Sequence, residues 1–258
     1  MTPRTDAELL RAYTRDASEP AFGELVTRYT NLVYSAALRQ CACPELAREV
    51  TQDVFTDLAR KARTLAANFS DDATLGAWLY KSTRYAAMNA ARDERRRVAR
   101  EHTLMPELAA APDEPAWDRV APVLDDAMAG LADAEREAVV LRYFQNLDFH
   151  AVGRALGVSD DTAQKRVSRA VERLRELLAK RGVAVGGSGL AILLTTNSVQ
   201  AAPTGLGATM LAVAAKAGAA QAATSTSALG WLATAQAKFA LAGVMVLLLG
   251  VVAAVNLR

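Results

Sequence analysis

Apolar positions recur every three or four residues along most of the first 180 positions of this chain. Nowhere in residues 7–100 do they alternate strictly in twos. Phe22, Leu25, Val26, Tyr29, Leu32, Val33 and Ala36 mark one buried stripe on a helix over about 20–40. Leu46, Val50, Val54, Phe55 and Leu58 mark another over 44–62. A shorter helix is expected over 6–15 and a longer one from Leu75 to Arg97, with the polar stretch Asn68 to Thr74 as the loop before it. The pattern resumes over 133–144, 148–156 and 160–180. Gly157-Val158-Ser159 joins the last two of these, and helix, short glycine turn and second helix is the helix-turn-helix arrangement. Ser159 suits an N-cap, and Asp160 and Asp161 fall in the first turn, where the helix dipole favours acids. The expected fold is all-α.

Residues 101–135 break this rhythm, with nine acidic residues, one basic residue and four prolines. From 101 to about 118 the expectation is an acidic linker with little regular structure. Two small helical domains follow from this division, at 1–100 and 126–182, with the linker at 101–125. Beyond them the composition changes. Residues 183–258 carry only Lys216, Lys238 and Arg258, and all 28 acidic residues lie before them. Residues 183–236 are rich in Ala, Gly, Thr and Ser and show no clear period. Residues 239–255, FALAGVMVLLLGVVAAV, are uncharged and apolar. At 1.5 Å per residue they reach roughly 25 Å, the short end for a membrane helix. A transmembrane helix is therefore expected over 237–256, with Lys238 at one headgroup layer. The shorter run from Val183 to Leu194, broken by Gly186, Gly187 and Gly189, is a weaker second candidate.

The net charge of +2 names no partner, but its distribution does. Residues 81–100 hold seven basic and two acidic residues, and Lys81, Arg84, Met88, Arg92 and Arg95 share one helical stripe. Beside Trp78, Tyr80 and Tyr85 such a stripe suits a nucleic-acid strand, with arginines on phosphates and rings on unpaired bases. Charge alone fits a solvated helix face equally well. In the helix at 160–180, Ala163, Val167, Ala170, Val171, Leu174 and Leu178 form an apolar back. Thr162, Lys165, Arg166, Arg169 and Arg173 lie opposite. A recognition helix needs that division: base contacts from its N-terminal part, and Arg169 and Arg173 on phosphates. A plain helical hairpin shares the pattern. Cys41, Cys43, His102 and His150 have no common metal-site spacing, so no metal and no cofactor is expected. Gly186-Gly187-Ser188-Gly189 lacks the lysine of a phosphate loop, and two histidines leave little for general-base chemistry, so no enzyme is indicated. The polar start MTPRTDAELLRAY lacks the apolar core of a signal peptide, so the helical domains are expected in the cytoplasm.

Over about residues 6–181 the chain resembles the sigma-70 superfamily, specifically the extracytoplasmic-function class of bacterial sigma factors. Glu49 to Phe55 (EVTQDVF) resembles region 2.2. Leu75 to Lys81 (LGAWLYK), running on to Arg92, resembles regions 2.3 and 2.4. Leu131 to Glu137 with Val139 to Phe144 resembles region 4.1, and 149–175 resembles region 4.2. The resemblance implies an alternative sigma factor that binds core RNA polymerase, through its β′ clamp and β flap, and directs promoter recognition and strand opening. It implies a core-polymerase contact at Glu49, Gln52, Asp53 and Phe55. It implies a −10 site at Asn68, Asp71, Trp78, Lys81, Arg84, Asn89, Arg92 and Arg95, the loop at 68–74 taking a flipped base. It implies a −35 site at Ser159, Thr162, Lys165, Arg166 and Arg169, and it leaves open a separate anti-sigma factor. The chain departs from the family pattern at Tyr85, Asn89 and Gln164, so the promoter sequence does not carry over. The added tail implies a tether to the inner membrane. Two rival readings remain at this stage: a membrane-anchored helix-turn-helix regulator that never meets polymerase, and a protein whose first 100 residues only bind a partner.

Overall fold

Ser18 starts the helix that buries most of its residues in the first core. Its hydroxyl accepts from the Ala21 N–H at 3.4 Å, with Pro20 in the first turn. The helix ends where Ala42 turns left-handed (φ 51°) and donates to the Leu38 carbonyl. In this computed structural model, which describes residues 4–16, 18–68, 75–101 and 116–212, every regular element among the described residues is helical. The elements are α1 (Asp6–Asp16), α2 (Glu19–Cys41), α3 (Pro44–Asn68), α4 (Gly76–Glu101), α5 (Ala116–Ala129), α6 (Asp133–Val139), α7 (Phe149–Leu156), α8 (Asp160–Ala179) and α9 (Gly187–Asn197). A π-helical turn, Val140–Phe144, continues α6. The described residues fall within one unit, Met1–Ala214.

Helices α1 to α4 build the first core. The stripe expected on α2 is buried, with Phe22, Leu25, Val26, Tyr29 and Val33 no more than 2% exposed, and α3 contributes Val50, Val54, Phe55 and Leu58. One carboxylate stitches the helices together. Asp6 of α1 is buried, pairs with Arg28 of α2 at 2.5 Å, and accepts from the Tyr29 hydroxyl and from the Leu75 N–H at 2.8 Å. Burial first, and the Asp6 charge second, push the Tyr29 pKa far up, so its hydroxyl stays a donor. A second core lies between α6, α7 and α8, where Ala138, Leu141, Val152, Ala163 and Val167 are buried.

Two findings bear on the expected layout. The first corrects the linker. Its last part, from Ala116, is α5, although Pro122 sits inside the helix. Proline removes one N–H from the ladder, a cost of about 3 kcal/mol in a helix interior. Burial of Val120, Leu124, Ala127 and Met128, on one face at helical spacing, offsets it. The acidic residue Asp125 is on that buried face too. It takes Arg39 of α2 in a two-pronged pair (2.9 and 3.2 Å) and accepts from the Tyr80 hydroxyl of α4 at 2.5 Å. Arg39 is 7% exposed and Asp125 4%. Burial opposes the Arg39 charge, but Asp125 and Tyr80 more than offset it, so the guanidinium pKa is raised. Arg39 also stands 5.2 Å over the Phe144 ring, which meets Tyr80 edge-on at 5.4 Å. Residues 102–115 lie outside the described residues.

The second finding settles a point the sequence leaves open: the first part of the Ala/Gly-rich segment at 183–236 is folded. Helix α9 buries Leu190 and Leu194, and beyond it Ser198, Leu206 and Met210 are buried as well. The Ser198 carbonyl accepts from Arg39 at 2.6 Å and its hydroxyl donates to the Tyr143 carbonyl at 2.9 Å. No helix among the described residues is long and apolar enough to cross a membrane. The run at 239–255 lies outside them.

Breaking the Arg39–Asp125 pair leaves a buried charge without a partner. Asp125→Ala is expected to cost about 3–5 kcal/mol of unfolding free energy, read by urea denaturation. Replacing both partners with apolar residues, Arg39→Met with Asp125→Leu, should recover most of that loss. A double-variant loss equal to the sum of the two single-variant losses would show that the pair contributes no coupling.

Candidate nucleic-acid interface

The turn between α7 and α8 is closed by backbone. Gly157 takes φ +64°, donates to the Arg154 carbonyl at 3.1 Å, and is followed by Val158, which donates to the Gly153 carbonyl at 2.8 Å. This pair of bonds is a Schellman end. Gly153 is needed for a different reason: a Cβ there would lie 2.8 Å from the Val158 carbonyl oxygen. Ser159 then caps α8, its hydroxyl accepting from the Thr162 N–H at 3.3 Å. Helix α8 thus leaves the turn at a fixed angle, with Ala163, Val167, Ala170, Leu174 and Leu178 buried.

The opposite face of α8 is open. Ser159, Thr162, Lys165 and Arg169 are exposed. Lys165 is held by Asp161 at 2.7 Å and Arg173 by Glu176 at 2.7 Å, both on the surface. Such exposed pairs are worth about 0–1 kcal/mol, so a phosphate can displace them. Ser159 is a cap first, with its hydroxyl turned to the helix. Arg166 departs from expectation because it is half-buried and faces Glu137 of α6. Glu137 is held above the usual carboxylate range by burial, and Arg166 opposes that rise.

Helix α4 presents the second basic face. Lys81, Tyr85, Met88, Asn89 and Arg92 are exposed, with Tyr85 at 56% and Met88 at 47%. Large apolar groups left in water between cations suit stacked bases better than a plain solvated face. Tyr85, named beside the basic stripe in the sequence though not among the residues implied by the resemblance, stands exposed next to Lys81. Tyr80, by contrast, points into the core. Trp78 is half-buried, with the Lys61 ammonium 6.0 Å from its ring centre. Arg84 is mostly covered and reaches Asp126 of α5 at 3.2 Å, leaving its Nε buried without a partner. Asn68 is exposed at the end of α3 and donates to the Thr64 carbonyl. Asp71 and the side chain of Arg95 lie outside the described residues.

On α3, Glu49, Gln52 and Asp53 share an exposed face. Partial burial, then repulsion from Glu49 and Asp57, raises the Asp53 pKa. Phe55, expected at the core-polymerase contact, is 1% exposed and lies in the core of the first four helices. Near this face a cleft of about 720 Å³ is lined by Cys41, Cys43, Glu45, Glu49 and Glu94. Burial, with Cys43 nearby, pushes the Cys41 thiol up to about 11, so it stays protonated and inert at neutral pH. No group of three metal-ligating side chains occurs among the described residues.

The family model for Sigma-70 region 2 matches residues 25–97, and that for Sigma-70, region 4 matches 127–176. The chain is 31% identical over 171 residues to the RNA polymerase sigma factor CarQ of Myxococcus xanthus, spanning 64% of this chain and 94% of that protein. It is 30% identical over 177 residues to the ECF RNA polymerase sigma factor SigM of Mycobacterium tuberculosis, spanning 68% and 85%. Among solved structures it is similar to CnrH in complex with the cytosolic domain of CnrY, at 21% identity and a TM-score of 0.35, over 68% of this chain and 97% of that one. The chain belongs to the sigma-70 family of RNA polymerase sigma factors, in its extracytoplasmic-function class. It is an alternative sigma factor that directs transcription initiation, and not an enzyme.

The turn offers a test of the α8 mount. Gly153→Ala forces a Cβ against a backbone oxygen, so it should destabilise the protein by about 1–3 kcal/mol, measured by chemical denaturation. A neutral result would mean that the α7–α8 approach relaxes freely.

Proposed function

We propose that this sigma factor holds its promoter at two points and core polymerase at a third. Helix α8 enters the major groove at −35 with Thr162 and Lys165 toward base edges and Arg169 on phosphate. The exposed face of α4, with Lys81, Tyr85, Asn89 and Arg92, takes the opened −10 strand, and Trp78 borders it. Unstacking a base there costs a few kcal/mol, which contacts in a pocket offset. Glu49, Gln52 and Asp53 on the outer face of α3 dock on core polymerase. One observation carries this reading: two basic helix faces stand exposed on apolar backs in one chain, together with a third, acidic face. The charge-free run at 239–255 tethers the protein to the inner membrane.

Three measurements test it. The full chain should capture bacterial core RNA polymerase, and Gln52→Ala with Asp53→Ala should weaken capture about tenfold, the equivalent of 1.4 kcal/mol. Undiminished capture by the double variant would remove this face from the contact. Arg169→Ala should weaken duplex binding uniformly across sequences and reduce the slope of log K against log salt by about 1. An unchanged slope would take Arg169 off the phosphates. The tagged full chain should stay with membranes through a high-salt wash, and release by salt would refute the tether.

A further inference from the structure

The segment after α9 lies along α2 in the reverse direction, and its register is regular. Arg39 donates to the Ser198 carbonyl at 2.6 Å. Ser35 accepts from the Gln200 N–H at 2.7 Å and donates to the Gln200 carbonyl at 3.1 Å. Asn31 accepts from the Ala202 N–H at 2.9 Å. Each step of four residues down α2 meets a step of two along the strap. The match is geometric: four helical residues rise about 6 Å, and two residues of drawn-out chain advance about 6.6 Å. All three rungs on the strap side are backbone groups. Further on, Gly207 lies against Val26, and Leu211 comes within 3.3 Å of where Gly23 would carry a Cβ. Leu206 and Met210 are buried beside them at 8% and 1% exposure.

The first rung shares Arg39 with Asp125, so the strap and α5 are fastened to one side chain. Fastening α5 there has a consequence at α4. Asp126 reaches Arg84, and Asp133 and Glu137 of α6 line a cleft of about 170 Å³ with Trp78 and Lys81. Carboxylates thus stand where the phosphates of a strand would stand. The fit is incomplete, because the Arg84 Nε is buried and unpaired. An arginine fork half-used by one exposed aspartate is better matched by a phosphate, which takes two of its N–H groups.

We infer that residues 198–211 are a built-in clamp whose docking on α2 holds the acidic α5–α6 corner against Arg84 and the Trp78–Lys81 end of the basic face of α4, so that release of the strap frees that end for a DNA strand while Tyr85, Asn89 and Arg92 stand open throughout. The inference rests on the reading of α4 as the strand-binding face. The clamp's own occupant is this chain, because each rung is already made by it.

The test uses the full chain in detergent, with Cys41 and Cys43 changed to serine and spin labels placed at Arg63 and Arg154. The probe is a fluorescein-labelled random-sequence single-stranded oligonucleotide. Met210→Asp unseats the apolar end of the strap, and the milder pair Asn31→Ala with Ser35→Ala removes two rungs without altering an apolar side chain. Both should lengthen the label distance and tighten strand binding about five- to tenfold, as follows if the open form is about 10–20% populated beforehand. Asp126→Ala with Asp133→Ala should tighten strand binding with the strap still docked. An unchanged distance in both strap variants overturns the clamp while leaving polymerase capture, and hence the proposed function, intact. A longer distance with unchanged strand affinity overturns the masking. If no variant binds the strand although the distance lengthens, α4 is not the strand-binding face and the masking falls with that reading.

Discussion

The Arg39–Asp125 pair is the constraint on which the arrangement of the described helices depends. A guanidinium and a carboxylate removed from water must meet each other, because either alone would cost several kcal/mol. Arg39 stands near the end of α2, and Asp125 is on α5. Their meeting therefore decides where α5 lies against the first four helices. Tyr80 adds α4 through its hydroxyl, Phe144 adds the π-helical turn through its ring, and Ser198 adds the chain beyond α9. Apolar contacts between these elements are non-directional and would tolerate sliding. A two-pronged ion pair does not, and it sets the register that the surrounding side chains then fill.

Asp6 plays the same part at the other end of α2. It gathers Arg28, Tyr29 and the first N–H of the α4 approach. The start of α4 is thus tied to α1, and its second turn to α5 through Tyr80. What remains free on α4 is the face beyond these ties, where Lys81, Tyr85, Asn89 and Arg92 stand in solvent. The interface is exposed because the polar anchors of the helix are spent on its other side. Helix α8 follows the same logic with apolar anchors: Ala163, Val167 and Ala170 hold it, and Thr162, Lys165 and Arg169 are left outward.

Helices whose packing runs on one stripe were legible in the sequence. Helices α2, α3, α4 and α8 announce themselves by period, and the Gly157–Ser159 turn by residue type. Helix α5 was hidden because Pro122 and its acids argue for a loop, and the residue that rescues it, Asp125, reads as surface charge until Arg39 is placed opposite. The strap was hidden for a stronger reason. Its grip on α2 uses backbone groups of Ser198, Gln200 and Ala202, which every sequence possesses. Phe55 shows the reverse case. The resemblance assigned it to a partner, while its own spacing with Val54 and Leu58 assigned it to the core, and the spacing prevailed. Arg166 and Arg84 lie between these cases: basic by type and on the right face, yet each is partly buried, Arg84 paired with Asp126 and Arg166 near Glu137.

Those acids set how firmly the closed arrangement is held. The Arg84–Asp126 pair is 3.2 Å long and its aspartate is two-thirds exposed, so it belongs with surface ion pairs worth about 0–1 kcal/mol. Lys165 and Arg173 are held as weakly on α8. A DNA backbone offers more, because each phosphate contact also releases condensed counterions and the gain adds along the strand. The acidic corner therefore cannot compete with a promoter on charge alone. What resists exchange is the buried part of the same contact, Arg39 with Asp125 and the strap behind them, which a strand in the groove does not touch. Two kinds of ion pair thus meet in one chain: weak exposed pairs that a phosphate can displace, mounted on a buried pair that it cannot reach.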